Sequence, residues 1–144
     1  MLRKINPLLS PDILYTLASM GHGDEIVIAD ANFPGDSCTE RLIRLDGISA
    51  TATLEAVLSI MPLDTFVPDP AITMQVVGAP DEVPPIVAEF QKIINQTADN
   101  PAVIQTLERH AFYERANGSY SVIQTGELRL YGNIVLKKGV IPPE

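Results

Sequence analysis

Residues 25–30 read EIVIAD, and the consecutive β-branched residues Ile26, Val27 and Ile28 limit the fold more than any other feature. Side chains alternate between the two faces of a strand, so an unbroken apolar run points apolar groups both ways. Such a strand must be covered on both sides, as in a parallel or mixed sheet between helix layers. The flanking residues supply a cover. Ser10-Pro11-Asp12 is a helix start: Ser10 is a capping residue, Pro11 suits the first helical position, and Asp12 favours the positive helix end. Ile13, Leu14, Leu17, Ala18 and Met20 then recur at helical spacing, and Gly21 is placed to end the helix.

The remaining chain alternates in the same way. SATATLEAVLSIM predicts a second helix capped by Ser49 or Thr51, with Leu54, Val57, Leu58 and Met61 on one stripe and Pro62 as its end. A third helix begins near Pro84 and fades before Asn100, and ERHAFYERANG predicts another, closed by Asn117-Gly118. Strands are expected around Leu42–Leu45 and in AITMQVVG, AVIQTL, SYSVIQT and IVLKKG, whereas PLDTFVPDP is too rich in proline to be regular. No repeat interrupts this order. The expected fold is α/β, one domain over residues 1–144, a three-layer helix–sheet–helix sandwich with a mixed, largely parallel sheet.

Charge and composition narrow the function. With 46% hydrophobic and 19% charged residues, a chain of 144 can bury a core of its own. A net charge of −8 disfavours nucleic acid and anionic membrane surfaces as partners. Cys38 is the single cysteine, so no internal disulfide forms and a reducing compartment is the natural setting. MLRKINPLLSPDILYTLASMG places basic residues before apolar ones, but Asn6, Pro7, Ser10, Pro11 and Asp12 interrupt the run and no cleavage site follows. A soluble cytoplasmic protein is expected, with no membrane partner.

Four places carry chemistry. His22 lies between two glycines, which either form an ordinary turn into the strand or hold an imidazole open to a ligand. Asp30 falls at the carboxyl end of the apolar strand, where ligands gather in α/β sheets, although aspartate also caps turns there. In RHAFYERA most residues suit an amphipathic helix burying Phe112, with Arg109 at the strand-to-helix junction as the exception. Tyr131-Gly132-Asn133 joins a phenol, a glycine and a two-way amide, a set suited to hydroxyl recognition and equally to a tight turn. Walker, Gly-x-Gly-x-x-Gly and Gly-x-Ser-x-Gly motifs and zinc spacings are absent from the sequence, so no cofactor or structural metal is expected.

Taken in order, LSPDILYTLASMGHGDEIVIADANFP, IRLDG, RHAFYERA, TGELRLYGN and IVLKKGV resemble the L-fucose mutarotase and D-ribose pyranase family, RbsD/FucU, over nearly the whole chain. The resemblance implies that His22 is the proton donor and that Asp30 binds sugar. It implies a further sugar-binding role for Arg109, an arginine in the fucose branch and a histidine in the ribose branch. Tyr131, Gly132 and Asn133 match the family's sugar-binding loop, and Gly132 again follows the fucose branch. His110 departs from the pattern, standing where fucose enzymes tend to have phenylalanine.

The implied activity is cofactor-free interconversion of the α and β anomers of L-fucose or a related monosaccharide. The alternatives are a D-ribose pyranase and a non-catalytic sugar-binding protein that assists transport. The resemblance also implies a ring-like homo-oligomer, a decamer, with sites at subunit contacts. Geometry bears on that point. If residues 25–30 form a straight strand, its five steps span roughly 16 Å. His22 and Asp30 of one chain then lie near opposite ends, so either the segment bends early or neighbouring subunits contribute different residues to each site.

Overall fold

The computed structural model describes residues 1–144. In chain order it contains α1 (Pro11–Ser19), β1 (Glu25–Ala29), α2 (Gly35–Cys38), β2 (Leu42–Leu45), α3 (Ala50–Leu58), β3 (Ala71–Met74), α4 (Pro85–Thr97), β4 (Gln105–Leu107), α5 (Arg109–Asn117), β5 (Ser121–Thr125) and β6 (Ile134–Lys137). One sheet joins the strands in the order β2-β5-β1-β6-β3-β4. Its β2–β5, β1–β5 and β3–β4 pairs are parallel, and β6 runs antiparallel to both of its neighbours.

The apolar run of β1 is divided between two cores. Ile26 and Ile28 pack with Leu17 of α1, Leu54 and Val57 of α3, and Phe90 and Ile94 of α4. Val27 and Ala29 point the other way, into a smaller core with Phe33, Phe112 and Ala116. The sheet therefore lies between α1, α3 and α4 on one face and α2 and α5 on the other, the three-layer sandwich expected from the pattern. Every residue of β1 after Glu25 is buried, which explains the absence of polar alternation there.

Local chemistry sets most helix starts. Ser10 Oγ accepts from Ile13 N at 3.3 Å, and Ser49, not Thr51, caps α3 by accepting from Ala52 N at 3.2 Å. Glu108 caps α5 through Ala111 N at 2.8 Å. Three details differ from the sequence pattern. The α3 helix ends at Leu58 rather than at Pro62: Ser59 Oγ donates to Ala56 O at 2.6 Å, and only a turn continues to the buried Met61. In AVIQTL only Gln105–Leu107 is strand, because the Gln91 side chain takes Ala102 O and Ile104 N and binds that stretch to α4. The single-turn α2 lies in a stretch to which the sequence pattern assigns no element.

The antiparallel β6 matters most for function. Because it runs against β1, its start lies beside the end of β1 and its end beside the start of β1. The Tyr131–Asn133 loop thus meets Asp30 at one end of these central strands. Lys137 and Lys138 meet the His22 turn at the opposite end.

Candidate active site

At the carboxyl end of β1, Asp30 is 5% exposed, and it is held from several sides. Its carboxylate accepts from Asn32 N at 3.0 Å and from Asn133 Nδ2 at 3.0 Å, while its own N–H donates to Asn133 Oδ1 at 2.7 Å. Gln124 Nε2 donates to Asp30 O at 2.6 Å and Phe33 O at 2.9 Å, fixing the turn below. Both alternatives for Asp30 are therefore realised, since it closes a local turn and also faces a cavity. Burial pushes its carboxyl above the ordinary range, partly opposed by amides of Asn32, Gly132 and Phe33 and by the Asn133 side chain.

The cavity is an open cleft of about 230 Å³ lined on its polar side by Asp30, Asn32, Arg109, Tyr131 and Asn133, with Phe33, Met74 and Tyr113 as apolar walls. Its size and its few convergent polar groups suit a monosaccharide. Arg109 opens α5 with its guanidinium 5.6 Å from the Tyr113 ring centre and makes no ion pair within the chain. Tyr131 adopts φ +64°, an uncommon conformation for a bulky residue, and its hydroxyl accepts from Val77 N at 3.1 Å.

Gly132 stands behind the cleft rather than lining it. A Cβ there would meet Glu127 Cγ and Ile86 Cδ1 at 2.9 Å, so its glycine is explained by packing. Glu127 is itself buried, accepting from Ala50 N at 3.3 Å and from Arg129 N and Nε at 3.1 and 3.0 Å. The guanidinium of Arg129 holds the Glu127 carboxyl below the ordinary range, and the pair anchors the loop to α3.

His22 belongs to the other end of the central strands. Its Nε2 lies 3.0 Å from Asp64 Oδ1, and its ring centre lies 4.9 Å from that of Phe66. Asp64 is buried and also accepts from Phe66 N at 3.1 Å. Burial alone would raise its carboxyl, but the Phe66 amide, His22 and the Thr65 amide outweigh this and hold it below the ordinary range. A carboxylate only accepts, so Nε2 carries the proton of this bond and Nδ1 is left to exchange one with a ligand. The sequence reading missed Asp64, which sits in the proline-rich PLDTFVPDP and is brought to His22 by long-range pairing with the end of β6, including the backbone bond from Asp64 N to Lys137 O at 3.1 Å.

The structure thus brings together Asp30, Arg109, Tyr131 and Asn133 and leaves His22 out. Strand pairing runs unbroken along β1, with β6 from Glu25 to Ile28 and with β5 from Ile26 to Ala29, so the segment does not bend early. Within one chain the imidazole and the cleft lie at opposite ends of the central strands.

The model of the "RbsD / FucU transport protein family" matches residues 3–141. The chain belongs to the RbsD/FucU family. A human relative, fucose mutarotase, is 45% identical over 146 residues, covering 97% of this chain and 94% of its own. The crystal structure of the fucose mutarotase of Streptococcus pneumoniae in complex with L-fucose superposes with a TM-score of 0.91 at 44% identity, covering 98% of this chain and all of the other. Bacillus subtilis RbsD complexed with D-ribose shares the fold, with a TM-score of 0.73 over 99% of this chain and all of the other, at only 22% identity.

Proposed function

We propose that this chain is a mutarotase interconverting the α and β anomers of L-fucose or a closely related monosaccharide. The observation that carries this reading is the cleft itself, where the buried Asp30–Asn133 pair, Arg109 and Tyr131 converge on space for one small sugar. Similarity to fucose mutarotases over nearly the full length supports the choice of reaction. Arg109 supports the fucose side of the family.

The reaction moves protons and one bond. A base takes the proton of the anomeric hydroxyl, an acid delivers another to the ring oxygen, and the bond between C1 and the ring oxygen breaks. The open aldehyde turns about C1–C2, and closure on the other face returns both protons. Carbon is neither oxidised nor reduced, so the chemistry calls for no redox cofactor. His22 is the acid in this scheme, a role worth ~100- to 10,000-fold when the group is well placed. Asp30, Arg109, Tyr131 and Asn133 hold hydroxyls and orient the anomeric centre.

We further infer that each cleft is completed by His22 of a neighbouring copy. The two halves sit at opposite ends of the central strands, and both carry exposed apolar groups: Phe66, 72% exposed, beside His22, and Leu130, 69% exposed, at the cleft. A homo-oligomer buries both and brings acid to sugar. A ring of ten copies is the assembly this reading favours. No helix is long and apolar enough to cross a membrane, and the lone Cys38 agrees with a cytoplasmic setting.

Saturation-transfer NMR on the anomeric protons of L-fucose, D-ribose and D-galactose tests the reaction. Exchange is expected to be fastest with L-fucose. Faster exchange with ribose would move the assignment to a pyranase, and no enhancement with any sugar would leave only a sugar binder.

A further inference from the structure

Glycines on both sides of His22 raise a physical problem, because glycine gives a backbone more freedom than any other residue. A general acid misplaced by about 1 Å loses much of its rate advantage. Asp64 holds the ring, and the turn closes on itself through Asp24 N to Gly21 O at 3.2 Å and Gly21 N to Asp24 Oδ2 at 2.8 Å. Neither set of bonds ties the backbone of the turn to the scaffold. We propose that Lys138 does so, and that it is a positioning residue for His22. This rests on the reading of His22 as the acid.

Lys138 grips the turn from both sides. Its Nζ donates to Leu17 O at 2.7 Å and to Met20 O at 2.6 Å, immediately before Gly21. Its carbonyl accepts from Gly23 N at 2.9 Å, and its N–H donates to Asp24 O at 2.9 Å. Residues 20–24 are therefore fastened to one strand end by three bonds that bracket His22. The ammonium has a further effect: α1 carries no basic residue in its last turn, so Lys138 supplies the cation that its carbonyl end favours. The preceding residue, Lys137, receives Asp64 N, so the same two residues place the histidine turn and the carboxylate that orients its ring. Nothing in this arrangement touches the sugar cleft of the same chain. Lys138 faces an apolar groove beside Leu14, Leu17, Met61 and Pro62.

The signature is a selective loss of turnover. Lys138→Met keeps the stem and removes both side-chain bonds, and it is expected to lower kcat by about 10- to 100-fold with KM nearly unchanged. Lys138→Gln, which reaches at most one carbonyl, is expected to fall between Met and wild type. Ser10→Ala is the control, because it weakens the same helix at its far end; it should lower the melting midpoint and leave kcat as it was. If Lys138→Met does not fold, the Lys138→Gln split decides in the same way.

Side-chain NMR of the imidazoles gives a readout independent of activity, since His22 and His110 are the only histidines. Loss of Lys138 should shift or broaden the His22 signal and spare that of His110. Wild-type kcat and an unmoved His22 signal in both Lys138 variants would overturn the proposal, as would an equal kcat loss in Ser10→Ala. A wild-type chain inactive on every sugar would instead overturn the assigned function, and the imidazole signals would still decide the role of Lys138.

Discussion

His22→Ala should lower anomer exchange by ~100- to 10,000-fold while sugar affinity stays within a few-fold of wild type. The split follows from where the residue sits. Its ring is 42% exposed at the opposite end of β1 from Asp30, and Asp30 and Asn133 in the cleft make their own bonds without it. Asp64→Asn is expected to act in the same direction, because a neutral amide makes a weaker bond to Nε2 than the carboxylate does and holds the ring less firmly. Saturation-transfer rates together with titration calorimetry separate turnover from binding. A protein that only binds sugar shows no exchange before or after the substitution, so the wild-type rate excludes or establishes that reading.

Asp30→Asn is the complementary loss. Each charged hydrogen bond from a buried carboxylate to a hydroxyl is worth about 1.5–3 kcal/mol, so affinity should fall roughly ten- to hundredfold for one such bond. The new side chain also sets its NH2 against one of the two donors that now bond Asp30, the Asn133 NH2 or the Asn32 N–H. A pH dependence accompanies it. Protonation removes the acceptor, so sugar binding fades as pH falls through the Asp30 pKa. Because burial holds that pKa up, the fading begins above the ordinary carboxylate range, and the Asn variant should lack this limb. Binding isotherms across the acidic range read both effects.

How much of this could be seen in the residues alone varies with the range of the interaction. The helices and strands were legible because periodicity and caps are local: Ser10, Ser49 and the unbroken Ile26–Ile28 each determine structure within a turn or two. Asp30 was legible as a strand-end aspartate, but its pairing with Asn133 spans 103 positions and depends on β6 running antiparallel to β1. The segment Ala102–Ile104 looked like strand because nothing local reveals that Gln91, on a helix, takes its backbone groups. Asp64 and Lys138 were missed for the same reason. One lies in a proline-rich segment and the other among lysines of an ordinary strand end, and only the folded sheet brings one to His22 and the other to its turn. Gly132 was legible as part of a turn or recognition loop, but not that Glu127 and Ile86 leave no room there for a Cβ.

The separation of His22 from the cleft carries the account, and mixing two impaired variants tests it most directly. His22→Ala is expected to lack turnover and Asp30→Asn to bind sugar ten- to hundredfold more weakly, so at sugar well below the KM of the Asn variant each alone should exchange anomers at about a tenth of the wild-type rate or less. If each site takes its histidine from one copy and its cleft from another, subunits exchanged at random should rebuild about a quarter of the sites, whatever the size of the closed ring. Recovery near a quarter of the wild-type rate per subunit is the predicted result. No recovery, in a mixture whose subunits have demonstrably exchanged, would contradict the shared site.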